Sequence, residues 1–68
     1  MSNFEDLIND PSMQREFSRF RFLGGQIRIN NNKIVLSSVI VPKYIMKLFA
    51  QRIRDLDAEN LLEVVIKI

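Results

Sequence analysis

The segments Gln26–Asn30 and 33–41 flank Asn31-Asn32, two residues that tolerate positive φ and so favour a tight turn. Pairing across that turn sets Ile29 opposite Ile34 and Ile27 opposite Leu36. One face of the resulting β-hairpin is uniformly apolar, and a lone two-stranded hairpin is at best marginally stable in water. Whatever else the chain forms must therefore cover this face. The opposite face carries Arg28, Val35, Ser37, Val39 and Val41, and its far end is too apolar to stand comfortably in solvent.

The cover comes from the clearest helix of the chain, 42–56, opened by Pro42. Its residues Ile45, Leu48, Phe49, Ile53 and Leu56 make one apolar stripe. Asp57-Ala58-Glu59-Asn60 breaks that pattern, and 61–68 then alternates as a strand with Leu62, Val64, Ile66 and Ile68 on one face. A strand, a helix and a strand in succession imply a right-handed crossover, which sets the last strand parallel to the second arm of the hairpin.

Ahead of the hairpin, Ser2 and Glu5 fit a capping box, with Phe4, Leu7 and Ile8 as a short apolar stripe. Asp10-Pro11 reads as a fresh helix start. Met13, Phe17 and Phe20 follow on one helical face, with Arg15, Glu16 and Arg19 pointing away. Residues 18–23 admit two readings. As a helix end, Phe20 closes the apolar stripe and Gly24-Gly25 supplies a terminus free to take positive φ. As a strand, Gly24-Gly25 becomes a hairpin turn that sets Arg21 opposite Arg28, and like charges directly opposite repel. The helix is the better reading.

The expected fold is α+β: one compact domain over 1–68, in the order α-α-β-β-α-β, with a three-stranded mixed sheet and helices packed on it. Its parts are an amino-terminal helical segment 3–20, the hairpin 26–41, the helix 42–56 and the strand 61–68. The face with Val35, Val39 and Val41, joined by Val65 from the last strand, is left to the amino-terminal segment to cover through Phe4, Leu7, Met13 and Phe17. That segment is interrupted at Asp10-Pro11, so the expected remainder is an apolar patch or open strand edge suited to a second copy.

With 68 residues the chain buries only about 60% of the surface its unfolded form exposes. Small chains commonly lean on disulfides, metal or a partner subunit. Cysteine and histidine are both absent, which removes disulfides and the usual zinc sites. A composition 47% hydrophobic is too apolar for disorder, so partner-assisted stability, most simply a homodimer, is the expectation. The acidic, amphipathic start MSNFEDLIND lacks the pattern of a signal peptide, and 34–42 is far too short for a membrane span. A cytoplasmic location without membrane contact is expected.

Enzymatic chemistry finds little support. Histidine, the commonest general acid–base group near neutral pH, is missing. Ser37 and Ser38 have no activating base nearby in sequence. Asp55, Asp57 and Glu59 alternate like calcium ligands, yet Asn60 stands where the loop needs glycine and Ile66 where it needs the bidentate glutamate. Gly24-Gly25 lacks the spacing and the Lys-Ser/Thr pair of a phosphate loop. No cofactor or small-molecule substrate is expected.

Two basic sets remain. Lys43, Lys47 and Arg54 form a stripe opposite the apolar face of helix 42–56, with the small Ala50 between them. Such a stripe can grip a phosphate backbone, although charges opposite a core stripe ordinarily just keep a helix wet. Arg15, Arg19, Arg21 and Arg28 stand beside Phe17, Phe20 and Phe22, an interleaving that suits single-stranded nucleic acid. Phe17 and Phe20 fit a core better, which leaves Phe22 as the free ring. Arg52 falls inside the apolar stripe and either snorkels outward or reaches Glu63, Asp55 or a partner chain. The expected role is a small non-enzymatic regulatory or adaptor module working through protein contacts, including contacts with itself at Val35, Val39, Val41, Arg52 and Val65. Nucleic-acid binding is the alternative.

Overall fold

The computed structural model describes residues 3–68. Helix α1 spans Phe4–Ile8 and helix α2 Pro11–Phe22; strands β1 (Gln26–Asn30) and β2 (Lys33–Ser37) form the hairpin; helix α3 (Lys43–Leu56) leads to strand β3 (Glu63–Ile66). The sheet order is β1-β2-β3, with β1 antiparallel and β3 parallel to β2. The α+β architecture, the mixed three-stranded sheet and the parallel last strand match the sequence expectation. So does the hairpin register, with Ile27 opposite Leu36 and Ile29 opposite Ile34. Asn31 supplies the positive φ of the turn at 55°.

Helices α1 and α2 each start where a side chain caps them. The Ser2–Glu5 capping box lies outside the described residues; the α1 cap is Asn3, whose side-chain oxygen accepts from the Asp6 amide at 3.0 Å. Asp10 caps α2 by accepting from Ser12 and Met13, and Pro11 sits at the first position. The α2 terminus resolves the two readings of 18–23 in favour of helix, which continues through Phe22. Gly24 takes φ 101° while its amide donates to the Arg21 carbonyl and the Gly25 amide to that of Phe20, a Schellman stop. Gly25 also lies against the Phe20 ring, where a β-carbon would collide.

One core holds the molecule together. Met13, Phe17 and Phe20 of α2 and Met46, Phe49, Ala50 and Ile53 of α3 pack with Ile34, Leu36, Leu62 and Val64, and the Phe20 and Phe49 rings meet at 5.4 Å. Both long helices therefore lie on the same side of the sheet. This corrects the expectation that the amino-terminal segment covers the second face. The third strand widens the apolar face enough for two helices, with α2 against β1 and α3 against β2 and β3, and α2 shields α3 as well as the sheet.

Other expectations change too. Strand β2 stops at Ser37 and not at Val41, because the Ser38 hydroxyl accepts from the amides of Ile40 and Val41 and donates to the Gly24 carbonyl at 3.0 Å. A side chain that captures two amides turns the backbone out of the ladder. Val41 then returns into the core, so it is no interface residue, and Val39 leaves the sheet to stand fully exposed. Strand β3 is likewise shorter than 61–68, since the Asp57 carboxylate takes the amides of Leu61 and Leu62, each at 2.7 Å.

The buried face of α3 is turned about a quarter turn from the expected stripe. Met46 and Ala50 are buried, whereas Leu48 is 50% exposed. Pressed between sheet and α2, the helix buries the residues that face both, and Ala50 admits close approach. Glu16 is buried as well, contrary to its expected outward position, and accepts from Arg52 Nε at 2.9 Å. That pairing across the two helices replaces the expected Arg52 contacts with Glu63 or Asp55. The revised face makes a direct prediction: Ile53→Ala costs about 2–5 kcal/mol as a full core truncation, whereas Leu48→Ala costs under about 1 kcal/mol. Urea melts of the two variants check it, and equal losses would restore the original stripe.

Candidate functional site

Topology gathers chemistry at the two ends of the molecule. The final residues of the parallel strands β2 and β3 lie at one end, together with the start of β1, since Gln26 pairs with Ser37. Gly24-Gly25 brings the α2 terminus there, and the loop 38–42 brings the first turns of α3. Arg19, Arg21, Lys43, Lys47 and Lys67 thus share this end, and no aspartate or glutamate lies there among the described residues.

The same end exposes large apolar side chains. Phe22 is 90% exposed because it falls opposite the buried face of α2. Val39 and Ile40 ride on the Ser38 turn, and Leu23, Tyr44 and Leu48 are also exposed. A shallow apolar groove lies between the helices, lined by Ser18, Arg19, Phe22, Leu23 and Phe49. Exposed apolar side chains and unopposed cations thus occur together at this end of the molecule.

The opposite end is acidic. Glu5, Asp6, Asp10, Asp55, Asp57, Glu59 and Glu63 lie around α1, the start of α2, the end of α3 and the start of β3, with Lys33 and Arg54 as the cations among them. A groove there is lined by Asp6, Leu7, Asp10, Leu56, Asp57, Glu59 and neighbours. Asp57 is buried and committed to holding the loop, so Asp6, Asp10 and Glu59 present the charge. Among the described residues no three acidic groups are close enough to hold a metal ion.

The structure divides the residues singled out from sequence. Arg19 and Arg21 join Lys43 and Lys47 at the basic end, with Arg21 also set 6.0 Å from the Phe17 ring centroid. Arg15 stands exposed on the solvent side of α2, nearer its middle. Arg28 lies across the sheet, opposite Val35 on the face that bears no helix, so it does not extend the arginine set. Phe17 and Phe20 are core. Arg54 donates to the Val64 carbonyl at 3.0 Å and packs along β3, and the buried Ala50 cannot lie in an outward stripe with Lys43 and Lys47. Val35 and Val65 pair at the centre of the open sheet face, half-buried, above a groove that includes Arg28 and Lys67.

No protein-family model, curated protein or solved structure matches this chain. No helix among the described residues is long and apolar enough to cross a membrane.

Charge is already segregated along the sequence. Between Glu16 and Asp55 there is no acidic residue, and this run carries eight of the ten lysines and arginines. The run begins and ends within helices, so only the fold converts it into an end of the molecule. One cation there also works against its own helix. The α3 cap, Pro42, offers no side-chain acceptor, the first turn holds no acid, and Lys43 stands at the positive end of the helix dipole. Lys43→Glu is therefore expected to stabilise the fold by about 0.3–1 kcal/mol. Denaturant unfolding measures this, and a loss of stability would show that Lys43 has a structural role.

Proposed function

We propose that this protein is a small non-enzymatic binding module that works through protein–protein contact and associates with itself. The observation that carries the reading is the apolar end, where Phe22, Leu23, Val39, Ile40, Tyr44 and Leu48 stand exposed on three separate parts of the chain. Folding leaves much of their apolar area in water, whereas burial against a partner removes such area at roughly 25 cal/mol per Å². The open sheet face is a smaller contributor, because Val35 and Val65 are its only large apolar residues near the centre.

Nucleic-acid binding is kept as a second reading on one specific observation. The exposed rings of Phe22 and Tyr44 share the basic end with Arg19, Arg21, Lys43 and Lys47, a combination suited to stacking on single-stranded bases.

Sedimentation tests both readings in one series. The protein alone at rising micromolar concentration is expected to gain mass, and labelled single-stranded DNA or RNA added at low salt is expected to sediment freely. A strictly monomeric protein that carries the oligonucleotide with it, in a salt-sensitive manner, would reverse the order of the two readings.

A further inference from the structure

We infer that copies of this chain associate head to tail, the basic apolar end of one docking in the acidic groove at the far end of the next. The inference rests on the self-association proposed above and specifies its geometry.

Charge complementarity is the first argument. Five cations and no acid mark one end, and Asp6, Asp10 and Glu59 present acid at the other. The 14 residues of α3 alone separate the two by about 20 Å. That exceeds the Debye length of about 8 Å at physiological ionic strength, so neither end neutralises the other within one copy. Each end is left to seek its complement elsewhere.

Apolar complementarity is the second. The basic end projects side chains: Val39 and Phe22 are almost wholly outside the surface. The acidic end is a groove, with Leu7, Leu56 and Leu61 among its lining residues. Apolar side chains ringed by lysine and arginine at one end complement in sign a partly apolar groove rimmed by carboxylates at the other.

A two-fold dimer through the apolar end meets the opposite condition. It would bring two copies of Arg19, Arg21, Lys43 and Lys47 together around the contact, and like charges facing across an interface oppose association. Only a heterologous contact buries the apolar end without that repulsion. Because the two surfaces lie at opposite ends, such a contact repeats and yields open chains rather than a closed pair. Lys43 fits this account, since a residue set against its own helix dipole serves something other than folding.

Two charge-reversed variants test the inference. Lys43→Glu with Lys47→Glu disables the basic end; Asp6→Lys with Glu59→Lys disables the acidic end while leaving the Asp10 cap and the buried Asp57 untouched. Circular dichroism melts establish that both fold. In light scattering and sedimentation the parent protein is expected to grow beyond a dimer with concentration, and to weaken about tenfold or more between low and high salt. Each variant alone is expected to stay monomeric. An equimolar mixture is expected to stop at a heterodimer, joined through the one intact end of each. A folded pair that stays monomeric when mixed, while the parent assembles, would overturn the head-to-tail geometry. A closed parent dimer unaffected by either variant would overturn it too, and would leave self-association standing. A parent that is monomeric at every concentration would overturn both.

Discussion

The whole molecule depends on one packing arrangement: α2 and α3 lie on the same face of a three-stranded sheet and share a single apolar layer. Phe17, Phe20, Phe49 and Ile53 meet over Ile34 and Leu36, and these residues are almost entirely withdrawn from solvent. The arrangement needs close approach at two points. Gly25 lies against the Phe20 ring, and Ala50 lets α3 settle onto its neighbours. Among the described residues no element covers the far face of the sheet, which stays open. The same alignment of helices and strands gathers their termini at two ends, and the unburied apolar residues and the charges separate between those ends.

Much of this was legible from residue patterns. The hairpin register follows from a period of two on either side of Asn31-Asn32, since a slip by one residue would turn Ile27, Ile29, Ile34 and Leu36 outward. The parallel last strand follows from the strand–helix–strand order. What misled was hydrophobicity without hydrogen bonding. Val39, Ile40 and Val41 look like a continuing strand, and only the Ser38 hydroxyl, which takes two of their amides, ends it. The α3 stripe was misjudged for a related reason. Ile45, Leu48, Phe49 and Ile53 form a plausible apolar face, but a helix held by both a sheet and a second helix buries the residues between its two supports. Met46 and Ala50 lie there and Leu48 does not. The Arg52–Glu16 pair spans 36 positions and could not be matched before the helices were placed side by side.

The candidate site was legible only in pieces. Lys43, Lys47, Arg19 and Arg21 stood out as cations, yet in two separate sets, one of which included Arg28 on the wrong side of the sheet. Phe22 was recognised as the one phenylalanine of its group not needed by the core, and its 90% exposure agrees with that. The acidic end was legible only as two unrelated pieces, the acidic start and the alternating Asp55, Asp57 and Glu59, because Asp6, Asp10 and Glu59 lie up to 53 positions apart in the chain and meet only through folding. Charge of both signs at surface positions is ordinary. Its separation to opposite ends, with the exposed apolar residues at one of them, is a property of the topology.

The central claim is that contact between copies joins unlike ends. A concentration series of amide nuclear magnetic resonance spectra addresses it residue by residue. The account predicts that the signals moving with concentration fall in two groups, one at 19–23 and 38–48 and one at 5–10 and 56–61, with both groups returning towards their dilute positions in high salt. Movement confined to Gln26, Arg28, Val35 and Val65, or to the basic end without its acidic counterpart, would contradict it.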